Sequence, residues 1–148
     1  MPIRYAAEDD REAWLRMRCA LWPSRSADEH RTAIHKFLTG VAREPSAVLV
    51  ASDRTGNPVG FIELSIRPYA EGCTTDHVGY VEGWYVEPPA RRQGFGRDLM
   101  NAAEAWARDQ GCEELASDSE VANEVSQLVH RGVGFEVVGQ IMCFRKAL

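Results

Sequence analysis

The chain has 148 residues, 45% hydrophobic and 26% charged, with a formal net charge of −5. This composition excludes intrinsic disorder, and the length fits one domain over residues 1–148. No apolar run approaches the roughly 20 residues of a membrane helix, and the first ten residues lack the basic start and apolar stretch of a secretory signal.

In chain order, residues 3–6 read as a short strand. Asp9 or Asp10 caps a first helix whose Ala13, Trp14, Met17 and Leu21 recur at helical spacing. Trp22-Pro23 ends it, because the residue before proline avoids the helical region. Asp28 opens a second helix carrying Ile34, Phe37, Leu38 and Val41, stopped near Gly40 and Pro45. Residues 47–52 and 59–66 are apolar and β-branched, and the turn formers at 53–57 make them an antiparallel hairpin. A loop at 68–77 precedes a strand at 78–86. A long helix follows over 94–110, with Phe95, Leu99, Ala103 and Trp106 as its buried stripe and Gly111 at its end. Residues 114–117 form a short strand and 122–131 a helix with Val125, Leu128 and Val129 inward. Strands at 135–138 and 140–145 close the chain. The order is β-α-α-β-β-β-α-β-α-β-β, an α/β (α+β) chain with a strand–helix–strand unit in a mostly antiparallel sheet.

Charge divides unevenly. Residues 1–70 hold 10 Lys/Arg and 9 Asp/Glu, whereas residues 71–136 hold 5 and 13. An acidic middle repels a phosphate backbone and disfavours nucleic acid. It suits a cationic small molecule or a basic peptide; solvated helix faces are the ordinary alternative. Cys19, Cys73, Cys112 and Cys143 are scattered and form no C-x-x-C, which fits a reduced, cytoplasmic protein. The histidines show no metal-ligand spacing, so no metal is expected.

The sharpest local pattern is the strand 81–86, then Glu87-Pro88-Pro89-Ala90, then Arg91-Arg92-Gln93-Gly94-Phe95-Gly96-Arg97. The first backbone N–H groups of a helix lack internal partners, and the helix dipole adds positive potential. A pyrophosphate fits there if no side chain blocks it. Gly94 and Gly96 give clearance, and Arg91, Arg92 and Arg97 give charge. No G-K-[ST] is present, and Leu99 breaks G-x-G-x-x-G. Glycines placed for packing at a plain helix start are the alternative.

The order Arg91-x-x-Gly94-x-Gly96 between a strand and a long helix resembles the acetyl-CoA signature of the GCN5-related N-acetyltransferases. Asn123, Ser126, His130 and Gly134-Phe135 fall at the spacing of that superfamily's second cofactor-side helix and following strand. The segments Leu21-Trp22-Pro23, Ser65-Ile66-Arg67, Gly72-Cys73, Val81-Glu82-Gly83, Ala116-Ser117-Asp118, Ser126-Gln127 and Gly134-Phe135-Glu136 look like the bacterial aminoglycoside 6′-N-acetyltransferases. The resemblance implies that superfamily's fold: a mixed, mostly antiparallel sheet with a central splayed parallel strand pair and flanking helices. It implies acetyl-CoA as cosubstrate, an aminoglycoside 6′-amine as acceptor and a homodimer.

The resemblance also implies roles. Backbone groups of Trp84, Tyr85 and Val86 would pair with the pantetheine arm, as an added strand would, and an N–H near Tyr85 would face the developing oxyanion. Backbone N–H groups from Gln93 through Phe95 to Arg97 would hold the pyrophosphate. Asn123 would bond the pantetheine arm or simply cap its helix; Ser126 lies at the same cofactor-side spacing. His130 stands where many superfamily members have a tyrosine, and is read as cofactor-proximal.

Amine acetylation needs a neutral nucleophile, so a carboxylate or ordered water must take a proton. Glu82, an acid inside an apolar strand, falls at the substrate-amine position by resemblance; a solvent-facing strand glutamate is the alternative. Asp118 ends the next strand and would bind an ammonium and help receive its proton, as a catalytic residue beside Glu82, or else cap the following helix. Glu136 would line the acidic pocket or face solvent. Trp22 and Tyr69 look like substrate-cleft aromatics suited to sugar faces and cations; core packing is the alternative for Trp22. Direct attack without a covalent enzyme intermediate is the simpler mechanism. The alternatives are another cellular amine, such as a polyamine or basic peptide, and a non-catalytic acetyl-CoA sensor. The closing strand 140–145, with Ile141, Cys143 and Phe144, offers an edge for a second subunit or completes the chain's own sheet.

Overall fold

A computed structural model describes residues 3–148; Met1 and Pro2 lie outside the described residues. Five strands form one sheet in the order β1 (Ile3–Tyr5), β2 (Ala47–Ser52), β3 (Pro58–Arg67), β4 (Val78–Val86), β5 (Leu115–Ser117). The first four are antiparallel neighbours, and β4 and β5 are parallel at one end of the sheet. The helices are α1 (Arg11–Leu21), α2 (Ala27–Leu38), α3 (Phe95–Asp109) and α4 (Glu124–Gly132).

Helices cover both faces, which is why β2 is buried at every position. Ala47, Leu49, Ile62, Leu64 and Val81 meet Phe95, Leu99, Ala103 and Trp106 of α3, the stripe expected from spacing. On the other face Val48, Val50 and Phe61 meet Trp14, Met17 and Ile34 of α1 and α2. The β2–β3 turn closes as read, with Asp53 Oδ1 accepting from the Thr55 and Asn57 backbone N–H groups.

Two features of β4 create a site. Its pairing to β5 covers only Gly79, Tyr80 and Val81, so the strand runs on to Val86 with that edge open. Its register to β3 shifts from Glu63↔Gly83 to Leu64↔Val81, which leaves Glu82 as the extra residue of a bulge.

Three expectations fail. Residues 135–138 and 140–145 form no strand. They have strand-like apolar content but pair with no strand among the described residues, and Val137, Val138, Ile141, Met142 and Phe144 are exposed. Val125, Leu128 and Val129 of α4 point outward rather than inward. A one-sided stripe gives a helix its apolar face without saying that this chain covers it. Val41 also lies beyond α2 and is exposed.

Candidate active site

The candidate anion cradle lies where β4 hands over to α3. A short turn at Pro88–Ala90 leads to Gly94, which caps α3 in the left-handed region at φ 94°, with no side chain bonding the helix start. The first N–H groups of α3 are therefore open, as an anion requires. Arg92 also has positive φ, 63°, and makes no hydrogen bond or ion pair among the described residues. The other cradle side chains are engaged. Arg91 Nε donates to the Val86 carbonyl (2.8 Å) and its guanidinium lies 5.6 Å from the Tyr85 ring. Gln93 donates to the Pro89 carbonyl (3.1 Å), and Arg97 to the Gly132 carbonyl at the end of α4 (3.2 Å).

The open edge of β4 can be read from its hydrogen bonds. Glu87 N–H donates to the Val59 carbonyl, and paired residues alternate along an antiparallel ladder. Tyr85, opposite Phe61, therefore directs its N–H toward β3. The outward N–H groups are those of Trp84 and Val86. The N–H near Tyr85 that is open to an added group is therefore that of Trp84 or Val86, while the Tyr85 N–H itself pairs with β3. The Val86 carbonyl faces the same way and is the one Arg91 takes. Trp84 is fixed by Nε1 donating to the Gly96 carbonyl (3.2 Å), and Gly96 leaves ordinary van der Waals room for the indole.

One wall of this edge is α4. Asn123 Oδ1 accepts from the Ser126 N–H (3.0 Å), so the helix-cap reading of Asn123 is realised. His130 sits between Trp84 and Phe135, with ring centroids 5.4 and 5.3 Å away. Its Nδ1 meets the Ser126 carbonyl at 2.7 Å, so Nδ1 carries a proton. In the neutral ring Nε2 accepts from the Ser117 hydroxyl at 2.8 Å. Both nitrogens are thus occupied.

Beyond the bulge lies a polar cluster that sequence reasoning caught only in part. Arg67 holds Glu82 through two hydrogen bonds of 3.0 and 2.7 Å. The guanidinium lies 3.6 Å from the Tyr80 ring centroid, and Tyr80 Oη donates to Asp118 Oδ2 (2.7 Å). Burial, then the hydrogen bond to the Asp118 carboxylate, pushes the Tyr80 hydroxyl well above its ordinary pKa. Glu82 is half-buried and paired rather than solvent-facing. Asp118 is exposed and caps no helix, since α4 starts later with Asn123 as its cap. Arg67 and Tyr80 carried no role in the sequence reading: nothing local reveals a bulge that brings positions 67, 80, 82 and 118 together.

The expected aromatic residues are placed differently. The Trp22 ring rests on Gly83, where an added Cβ would lie 2.6 Å from it. Trp22 thus packs and also borders the bulge. Tyr69 is exposed in its loop and donates to Glu71 (3.2 Å); the Glu71 charge raises its hydroxyl pKa. Glu136 is exposed and has no hydrogen-bond or ion-pair partner among the described residues. Among those residues, no group of three or more His, Cys, Asp or Glu side chains is arranged for a metal.

A half-open strand edge leading into an uncapped, glycine-started helix is matched by a known family pattern. The model of the acetyltransferase (GNAT) family fits residues 11–135. The chain belongs to the acetyltransferase (GNAT) family. Among its GNAT relatives, an aminoglycoside N(6')-acetyltransferase type 1 of Klebsiella aerogenes is 49% identical, aligned over 99% of this chain and 96% of that protein. A protein of the same name from Stenotrophomonas maltophilia is 40% identical over 99% and 93%. The structure of AAC(6')-Iy in complex with the bisubstrate analog CoA-S-monomethyl-acetylneamine is similar with TM-score 0.89 and 33% identity, covering 99% of this chain and 98% of that one. The apo aminoglycoside 6'-N-acetyltransferase AAC(6')-IG of Acinetobacter haemolyticus gives TM-score 0.90 at 34% identity over 100% and 99%. The GNAT fold expected from the sequence is the fold observed.

Proposed function

We propose that the chain, acting as a single domain, is an acetyl-CoA-dependent acetyltransferase for the 6′-amine of aminoglycoside antibiotics. One observation carries this reading. The open β4 edge has an anion cradle at one end and the Glu82–Asp118 carboxylates at the other. A thioester cofactor with a pyrophosphate fits the first part, and a polycationic amine fits the second. The names of the full-length relatives support the same acceptor class.

Acetyl-CoA supplies the activated acetyl thioester. Open N–H groups at residues 95–97, with Arg92, hold pyrophosphate oxygens; Arg91, Gln93 and Gly94 keep the turn in shape. Trp84 and Val86 offer backbone partners to the pantetheine amides, and an outward N–H faces the thioester carbonyl oxygen. Asn123, Ser126 and His130 form the α4 side of the cofactor groove. Glu82 and Asp118 hold the substrate ammonium, and Glu82 takes its proton directly or through water. The neutral amine forms the new N–C bond as the C–S bond breaks, the electron pair leaves with the sulfur, and the proton lost from the new amide nitrogen passes through water to the departing thiolate. Trp22, Tyr69 and Glu136 border the sugar-binding side.

The same reading includes a homodimer. The apolar residues Ile141, Met142 and Phe144 are exposed in the terminal segment, and the outer edge of β5 has no partner strand among the described residues. A groove of about 270 Å³ lies beside that edge, lined by Cys112, Leu115, Val133 and Phe135. Four free cysteines and a cytosolic acetyl donor fit the cytoplasm.

The test is thiol release from acetyl-CoA with kanamycin, tobramycin, spermidine, a basic peptide and an aminoglycoside bearing a 6′-hydroxyl. Rapid release with the first two and slow release with the 6′-hydroxyl drug is expected. Turnover of spermidine or peptide alone would move the acceptor to a cellular amine.

A further inference from the structure

A fully buried ionic chain lies beside the acceptor side of the site and takes no part in the chemistry described so far. Glu63 of β3 is 2% exposed, and the sheet register sets it opposite Gly83. Arg18 of α1 donates to it from Nε (2.8 Å) and Nη2 (3.2 Å), and Trp14 Nε1 donates at 3.0 Å. Arg18 Nη1 also reaches His30 Nδ1 at 3.3 Å. A guanidinium only donates, so Nδ1 is the acceptor and Nε2 of the neutral ring bears the proton. That Nε2–H donates to the Trp22 carbonyl at 3.1 Å.

Every link has a fixed donor: Arg18 donates both to Glu63 and to His30, and His30 donates to the backbone carbonyl of Trp22. The Trp22 side chain is held by the same groups. Its ring stacks on His30, with centroids 6.2 Å apart and planes at 20°, and Arg18 Cζ lies 4.8 Å from its centroid. The far end of the indole lies on Gly83, between the bulged Glu82 and Trp84. Burying an ion pair is costly, and apolar residues of similar volume often hold a fold as well or better. A buried Glu–Arg–His chain that ends on one residue beside Glu82 therefore has a positional purpose.

We propose that Glu63, Arg18 and His30 are positioning residues for acceptor binding, acting through Trp22. They set the indole as the wall of the acceptor pocket at Gly83. His30 fixes the backbone of Trp22, Arg18 the face of its ring, and Glu63 the place of the Arg18 guanidinium. This rests on the acceptor-site reading given above.

The experiment compares wild type with His30→Phe, His30→Gln, Trp22→Ala and the His30→Phe/Trp22→Ala double variant. Kanamycin KM, acetyl-CoA KM and Tm are measured for each. His30→Phe keeps a stacking ring and removes both nitrogens; it is expected to raise kanamycin KM up to about tenfold, the scale of one net hydrogen bond. Acetyl-CoA KM stays unchanged. His30→Gln, with one acceptor and one donor, recovers most of the loss. In the Trp22→Ala background His30→Phe adds less than about twofold, because coupled sites are not additive. A second full increase there shows general loosening and overturns the proposal, as does an unchanged KM in folded His30→Phe. If His30→Phe does not fold, Gly83→Ala carries the test by pushing the indole off from the strand side; an unchanged kanamycin KM in that folded variant overturns the proposal. Wild-type protein that fails to acetylate kanamycin overturns the acceptor reading and this inference with it.

Discussion

Arg67 and Glu82 are locked together by two hydrogen bonds at the bulge of β4. In the proposed reaction, the carboxylate that receives the substrate proton is thus already an ion-pair partner. On that proposal an incoming ammonium would share Glu82 with Arg67, and Asp118 would meet its other cationic groups. Glu82→Gln keeps the shape and loses the base. It is expected to lower kcat/KM for kanamycin by about 10²-fold or more, with acetyl-CoA KM unchanged. Steady-state kinetics against each substrate check this, and a loss confined to acetyl-CoA KM would contradict it.

Gly94→Ala tests the cradle. At φ 94° a Cβ is strained by about 1–2 kcal/mol, and relieving that strain shifts the turn that leaves the first N–H groups of α3 open. Acetyl-CoA KM should rise several-fold while kanamycin KM holds. Isothermal titration with coenzyme A reads the same change without turnover.

Asp10 should set part of the acid stability. The Arg4 hydrogen bonds (2.7 and 2.8 Å), with help from the Ala7 N–H, hold its carboxyl below the ordinary value against the opposing effect of burial. The unfolded chain therefore binds more protons in this range, and stability rises with pH. The contribution is complete above the unfolded value of about 4 and is lost as pH falls through the depressed folded value. Asp10→Ala is expected to cost about 1–3 kcal/mol at pH 7. Urea unfolding at descending pH should show the gap to wild type closing below about pH 4.

Phe144→Asp addresses the terminal segment. Phe144 is 89% exposed in the single chain, an unfavourable position for an aromatic ring that has no cover. Light scattering should give a dimer for wild type and a monomer for the variant. Equal masses for the two proteins would remove the segment from the interface.

The site was only partly legible in the chain. The cradle could be read because its elements are consecutive: a strand, a proline-bearing turn, Gly94 and the α3 stripe follow one another within about two dozen residues. Glu82 stood out as an acid in an apolar strand. Its guanidinium partner lies 15 residues away on another strand, and the bulge that joins them is a property of sheet register. Glu63 was equally acidic in an equally apolar strand, yet it is the buried anchor of Arg18. Position in sequence does not separate these two glutamates; the face and depth at which each strand presents them does.

Sequence alone determined the element order through residue 132, the α3 core stripe and the glycine-started end of α3, because these depend on local periodicity and backbone freedom. Tertiary structure decided which N–H groups of β4 remain open, that Trp22 lies on Gly83, and that residues 135–148 find no strand in their own chain. Those outcomes depend on pairing partners many residues apart, and a strand's alternation carries apolar content without naming its neighbour.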